Sequence, residues 1–444
     1  MKRTILAAFL VSVAARLAAQ SVAAPNAAAP NPALAPLDAL YPELEKFYID
    51  LHQNPELSYH EEKTAAKLAE RLRALGYEVA TGVGKTGVVA VLKNGKGPTV
   101  LVRADMDALP VEEKTGLAYA SKVTTKNDAG ETVSVMHACG HDVHVTSLLG
   151  AATLLSKAKG RWRGTLVLIG QPAEEGGGGA EAMIHDGLLT RFPKPDFAIA
   201  LHDSASYPAG QIGVTSGYAL ANSDSADITI YGRGGHGSAP QSTVDPIVIA
   251  ARTVVALQTI VSREIDPQDP AVVTVGSIHG GTKHNIIPDE VKLQLTIRSY
   301  TESTRRRLHA AIGRIAKAEA AAAGAPKEPL VVINEGYDAT YNDPALSKRL
   351  IAAFTAAFGK DRVLESRPIM GAEDFGQIGK AAGAPSVIFW VGGVERSKYD
   401  AAQGDVTKLP SLHSSLWAPD KEPTLKTGAA ALTVGALDLL GGAK

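Results

Sequence analysis

Residues 136–144 read M-H-A-C-G-H-D-V-H, placing three histidines, an aspartate and the chain's only cysteine within nine positions. Thiolate and imidazole are ligands for a borderline-soft divalent cation such as zinc, and a carboxylate adds a hard oxygen. A polar helix start capped by Asp142 would look the same over this stretch alone, so the metal reading requires further ligands elsewhere. Residues 164–170 read as a buried strand that ends in Gln171-Pro172-Ala173-Glu174-Glu175-Gly176. Two adjacent carboxylates cannot both point one way, so one can ligate a cation while its neighbour faces the attacking water; the plainer reading is an acidic pair at a helix N-terminus. Residues 197–201 are another apolar run, ending in His202-Asp203, and a strand-end histidine is a third ligand candidate. The strand at 99–103 delivers Asp105 at its C-terminal end, where open α/β sheets place their chemistry. Asp105 is there either a turn residue or a carboxylate that orients a metal-bound imidazole.

The elements that must carry these residues follow from periodicity. Leu44, Phe47, Tyr48 and Leu51, then Ala65, Leu68, Leu72 and Leu75, recur at three-to-four spacing and predict two helices within residues 42–80. Asn54-Pro55 sets a turn between them, and Gly76 stops the second. Gly84-Lys85-Thr86 invites a phosphate-loop reading, but that motif needs a glycine where Val79 stands. A Gly-rich turn into a strand at 88–92 is the better reading. Residues 137–144 lead into an apolar helix at 147–156.

After Tyr218 the pattern changes. Residues 227–231 alternate, 232–240 are Gly-rich around His236, and 246–260 form an apolar-periodic helix. Strand-like runs at 271–278 and 291–300 precede an Ala-rich helix at 302–323 and a closing strand at 330–334. This order predicts a ferredoxin-like α+β sandwich inserted into a larger α/β domain. A helix over Pro344–Phe358, a loop at 371–376, a strand at 385–391 and His413 ahead of the last helix complete the outer domain. The expected plan is a catalytic domain in two parts, 37–217 and 336–444, around an insert at 218–335.

With 444 residues, 45% hydrophobic and 20% charged, the chain has the makings of a large globular core, and its net charge of −1 argues against a nucleic-acid footprint. Residues 1–23 begin M-K-R, continue as an apolar run and look like a bacterial secretory signal peptide; 24–36 read as an Ala/Pro linker with nothing to pack. The expected location is therefore exported, periplasmic or secreted. No membrane span is expected after signal removal, because no other apolar stretch reaches about 18 residues. A lone cysteine cannot form an intramolecular disulfide, which in an oxidising compartment favours Cys139 as a metal ligand.

From about residue 51 to about residue 417 the chain resembles the aminoacylase-type metallopeptidases, peptidase family M20. The resemblance rests on L-H-Q-N-P-E-L-S, V-R-A-D-M-D-A-L-P, M-H-A-C-G-H-D, Q-P-A-E-E-G-G-G-G-A, G-R-G-G-H-G-S-A-P, H-N-I-I-P-D and G-A-E-D-F, in that order. Within the family it is most similar to the amidohydrolase branch, subfamily D, which includes N-acyl-amino-acid, hippurate and auxin-conjugate hydrolases. The resemblance implies a zinc-peptidase-like α/β catalytic domain, with the insert as lid and dimerisation domain, and a site for two divalent ions. Zinc or manganese is expected there, with cobalt or nickel as alternatives. Cys139 matches the bridging ligand, His141, Glu175, His202 and His413 the remaining ligands, and Glu174 the general base. His236 matches the histidine that supports the substrate's carbonyl oxygen. Asn285 matches the residue that holds its free carboxylate, and Arg298 is placed with it in substrate binding.

The implied reaction is hydrolysis of the amide of an N-acyl amino acid or small peptide. An exported dipeptidase or carboxypeptidase using the same site is the alternative, and a catalytically silent periplasmic binding protein is a rival of another class. Glu174 stands against the latter, since a binding module needs no base beside its ligand. A closed structural zinc site is disfavoured because the ligands are spread from Cys139 to His413. Two residues depart from the family pattern. Val143 stands where glycine is usual, and Asp203 stands where an apolar residue is usual, either drawing cationic substrates or orienting His202. Oligomeric state stays open, with the insert's exposed edge strands as the place where two copies would pair in a homodimer.

Overall fold

The continuous apolar runs form the centre of a mixed sheet in the computed structural model, which describes residues 31–442. The signal-peptide expectation and the first part of the linker lie outside the described residues. Eight strands follow in the order Glu78–Val83, Gly87–Asn94, Trp162–Gln171, Thr99–Asp105, Phe197–Pro208, Ser386–Val394, Ile212–Val214 and Val363–Glu365, and Gly441–Gly442 pairs with Trp162–Gln171. Thr99–Asp105 runs parallel to both neighbours, and Phe197–Pro208 runs parallel to Ser386–Val394. Strands covered on both faces have no solvent side to alternate with, which is why they read as unbroken Val, Leu and Ile.

One face is covered by Leu37–Gln53, Glu62–Ala74, His141–Lys157, Pro344–Phe358 and Lys421–Leu439, through Leu51, Leu68, Leu148, Leu155, Phe354 and Leu432. Each such fully buried side chain contributes roughly 1.5–3 kcal/mol. Met183, Phe375 and Ile378 cover the other face, from the short helices Gly179–His185 and Phe375–Ala382. His141–Lys157 is buried from His141 to Leu155 and packs most heavily on Lys421–Leu439. A helix enclosed on all sides is a rigid mount for whatever its first turn carries.

The insert has its own core. Its sheet runs Ala271–His279, Glu290–Ser299, Asp224–Tyr231, Leu330–Glu335, all antiparallel, which in chain order is 2-3-1-4, the ferredoxin-like topology expected. Leu293, Leu295 and Ile297 sit with Ile249, Leu257, Leu308 and Ile312 from Pro246–Thr259 and Glu302–Ala322. The opposite face of Glu290–Ser299, with Gln294 and Thr296 exposed, alternates as a half-solvated strand should.

Several expectations are corrected. The end of the linker does pack, since Pro32–Leu34 is a short helical turn with Ala33 4% exposed and Leu34 against the main core. The helix expected at 147 begins at His141, because residues 137–144 are not a loop leading to a helix but include its first turn. The run at 197–201 continues to Pro208, so His202 lies inside a strand. The loop at 371–376 holds the end of a strand, Ile369–Ala372, and the start of a helix, Phe375–Ala382. Gly217–Ala221 pairs with Thr340–Asn342 and Ile369–Ala372, and its Leu220 packs in the catalytic core, so the chain crosses to the insert nearer Asp224 than residue 218. Finally, Pro246–Glu264 is long and apolar enough to cross a membrane by length and composition, with mean hydropathy 1.3. In this fold one side of it, Ile249, Ala250, Thr253, Leu257 and Ile260, is buried within the insert.

Candidate active site

The parallel pairing of Thr99–Asp105 with Trp162–Gln171 sets Asp105 beside Gln171, so Asp105–Asp107 and Gln171–Glu175 leave the sheet side by side. His202 comes from the strand on the other flank, and Cys139 and His141 from the start of the enclosed helix. His413 arrives from the far end of the chain, where its N–H donates to Ala138 C=O at 2.8 Å and stitches its loop to the Cys139 turn. Ala173 (φ 47°) and His413 (φ 65°) hold left-handed backbones that cost side-chain-bearing residues energy, and both lie at this site.

The donors converge. Cys139, His141 and His202 form one group whose ligand atoms lie within 4.8 Å of one another, and Cys139, Glu175 and His413 form a second. Cys139 belongs to both. Its Sγ is 3.5 Å from His202 Nε2 and 3.2 Å from His413 Nε2, and His413 Nε2 is 3.2 Å from Glu175 Oε1. The outer nitrogens are spoken for. His141 Nδ1–H donates to Asp107 C=O at 2.8 Å, and His202 Nδ1–H donates to Asp203 C=O at 2.7 Å, which leaves each Nε2 for the centre. His141 Nε2 is buried without a hydrogen-bond partner, and Glu175 Oε1 with none besides the His413 ring.

These orphaned atoms and the mixed S, N and O donor set fit two divalent cations sharing a thiolate. Electrostatics agree. Burial, then Glu175, push the Cys139 thiol well above its usual pKa, a state that a bound cation reverses by taking the thiolate. Burial, then Glu373 and Glu175, likewise raise Glu174. Behind them fully buried Arg103 reaches Asp105 at 2.7 Å, Glu373 at 2.7 Å and Gln171 at 2.9 Å, tying the D-M-D and G-A-E-D-F segments together.

Glu174 is 7% exposed and falls within ligand distance of His141 and Glu175. Asp105, expected to orient a ligand imidazole, instead accepts from His144 Nδ1–H at 2.5 Å, and its nearest oxygen is 3.6 Å from His141 Nε2. The carboxylate that backs the ligand is Asp107. Its Oδ1 is 3.3 Å from His141 Nδ1, and it accepts from Glu174 N at 3.1 Å, Glu175 N at 3.0 Å and Ser58 Oγ at 2.6 Å. Asp105 is the last residue of its strand, and Asp107, two residues beyond it, reaches the ligand turn. Asp107 and His144 are the residues missed by sequence reasoning. The second aspartate of D-M-D, and a third histidine one helical turn after His141, were the available signals.

Of the two departures, Val143 packs with Tyr41, Tyr48 and Leu425, and Asp203 is buried beside His144 and His202. Asp203 is fully buried and faces these two rings. His236 and Asn285 are adjacent in the ribbon pairing Gly235–His236 with Ile286–Ile287, where Gly237 N donates to Asn285 C=O at 2.9 Å. Both are exposed, and among the described residues no hydrogen bond joins them to the ligand cluster. The structure brings together the expected ligands and Glu174, but not these two. Arg298 stands on the wall of a cleft of about 880 Å³ between the two bodies, facing Gly177 and Gly178 of the loop after Glu175, with Tyr337 and Lys380 alongside. It donates to Asn222 C=O at 3.2 Å.

Residues 101–407 match the model of peptidase family M20/M25/M40. The chain is 40% identical over 397 residues to thermostable carboxypeptidase 2 of Saccharolobus solfataricus, covering 88% of this chain and 94% of that protein. It is 42% identical over 338 residues to hippurate hydrolase of Campylobacter jejuni, covering 75% and 84%. A crystal structure of a dinuclear metal-binding peptidase from Bacillus subtilis superposes with a TM-score of 0.72 at 29% identity, covering 91% of this chain and all of that one (100%).

Proposed function

The chain belongs to peptidase family M20/M25/M40, and from that premise we propose that it hydrolyses the amide bond of N-acyl amino acids or small peptides bearing a free carboxylate, with two divalent cations. The observation that carries this reading is the pair of three-ligand groups sharing Cys139 with buried Glu174 beside them. When bound, the cations supply Lewis-acid activation of the scissile carbonyl and of a water. Glu174 takes a proton from that water as its oxygen bonds the carbonyl carbon, and delivers it to the amine nitrogen as the C–N bond breaks. Asp107 holds the backbone of both Glu174 and Glu175 and the outer face of His141, keeping base and ligands in register.

Arg298 and Asn285 bind the substrate carboxylate and His236 donates to the oxyanion once the insert closes on the ligand cluster; the Arg298 guanidinium on the wall of the cleft between the two bodies supports its part in this arrangement. Cys139 in both donor groups would offer a thiolate, which favours zinc, with manganese next and cobalt or nickel as substitutes. Val248 and Val255, 55% and 70% exposed on Pro246–Thr259, together with the edge strand Ala271–His279, favour a homodimer through the insert. The M-K-R start and apolar run of residues 1–23 favour export, which N-terminal sequencing of the protein from its native cell tests. A carboxypeptidase is the second reading, because a 40% identical relative carries that name.

The experiment is metal analysis of the purified chain beside turnover of N-acetyl, N-benzoyl and N-indoleacetyl amino acids and dipeptides, with and without chelator. About two metals per chain and chelator-sensitive cleavage are expected. Dipeptides cleaved in preference to every acyl amino acid would select the carboxypeptidase reading. Metal without turnover on any member would overturn both.

A further inference from the structure

The carboxylate of Asp203 points away from the cleft and into the structure behind the ligands. Its Oδ1 lies 3.3 Å from His202 Nδ1 and 3.3 Å from His144 Nε2, and its Oδ2 is buried without a partner. Its backbone holds the same two rings, since its C=O accepts from His202 and its N–H donates to His144 Nε2 at 2.8 Å. On its other side it abuts Gly140, whose backbone is left-handed at φ 79° and where a methyl group would fall 2.4–2.5 Å from the Asp203 carboxylate atoms. The Cys139-Gly140-His141 turn therefore rests directly on Asp203. His144 completes the support. It meets His202 edge-on, with ring centroids 4.5 Å apart at 67°, and is anchored at its far nitrogen by Asp105, which Arg103 holds in turn.

The two cation positions are thus built differently. Cys139, His141 and His202 all lean on Asp203 or on the turn it supports. Glu175 is fixed through its backbone by Asp107, and His413 meets that turn only through its backbone N–H on Ala138 C=O, its side chain 55% exposed. A ligand imidazole fixed from behind by a carboxylate loses less freedom on binding and is the more basic donor.

We propose that Asp203, with His144, is a positioning residue that makes the Cys139–His141–His202 position the tighter of the two cation sites. The inference rests on the dinuclear reading above. It is tested by equilibrium titration of the metal-free full chain with zinc against a chromophoric chelator, for the wild type, Asp203→Asn and His144→Gln. Asp203→Asn keeps the shape packed on Gly140 and removes only the charge. The wild type should bind two zinc ions of unequal affinity, and each variant should weaken the tighter one by about 10- to 100-fold while weakening the other, which shares only Cys139 with it, far less. With cobalt in place of zinc, the thiolate charge-transfer band of the first equivalent should shift in both variants. Wild-type affinities for both ions in both variants would overturn the inference, as would selective loss of the weaker site. Near-UV circular dichroism of the metal-free chain checks folding, and if Asp203→Asn does not fold, His144→Gln decides alone. A wild type that binds no zinc refutes the dinuclear reading instead, so the two failures are distinguishable.

Discussion

His52 clamps the metal-bearing helix from outside the ligand set. It is 1% exposed, with Nδ1 2.6 Å from Asp142 and Nε2 3.1 Å from Glu113. Burial opposes its charge, but the two carboxylates outweigh burial and push its pKa up to about 10. Asp142 follows the ligand His141. Glu113 sits in the segment whose Lys114 N donates to Ser415 C=O at 2.8 Å, two residues beyond His413, so one imidazolium ties together both ends of the ligand set. Against an unfolded value of about 6.5, this sets an upper bound of about 5 kcal/mol on what the clamp contributes. Removing one partner of a buried ion pair costs about 3–5 kcal/mol in comparable settings. Because the folded pKa lies above the unfolded one, the stabilisation is complete below about pH 6.5 and drains away as pH rises through about 10. His52→Gln should therefore destabilise by about 3–5 kcal/mol near pH 6 and by much less near pH 10. Urea unfolding of the metal-free protein across that window, followed by tryptophan fluorescence, gives the difference between wild type and variant at each pH. A difference that stays constant with pH, or one below about 1 kcal/mol near pH 6, would refute the ion-pair account.

Glu174→Gln should retain both metals and lose about 10²–10⁴-fold in kcat, checked by metal analysis beside initial rates; activity near wild type removes it as the base. Asp107→Asn keeps an acceptor for the backbone N–H of Glu174 or Glu175 but loses the charge facing His141, so metal affinity should fall about 10- to 100-fold, read by chelator competition. His236→Ala should lower kcat by about 10²–10³-fold with metal content intact, and an unchanged rate would argue against an oxyanion role.

The sequence by itself determined what kind of chemistry this chain carries. Cys139, His141, Glu174, Glu175, His202 and His413 are named by donor type and by the motifs around them. The donor atom each offers a cation is fixed by side-chain chemistry, which does not depend on the fold. The strands were legible for a related reason, since a sheet buried on both faces leaves only apolar, β-branched sequence available. The insert's topology could be read because its short elements keep period 2 and period 3.6 separate.

What only the tertiary structure decided is which neighbour touches which. Asp105 and Asp107 are equivalent in sequence, but strand length and parallel register put one against His144 and the other against His141 and the Glu174-Glu175 backbone. Asp203 lies next to a ligand in the chain, yet the two-residue alternation of a strand turns its side chain away from the cleft, and Gly140 leaves just enough room to receive it. The distance from the ligand cluster to His236 and Asn285 is likewise a matter of how two separately cored bodies are set against each other. Contacts between segments 34 to 67 residues apart follow from packing and register, and no local spacing records them.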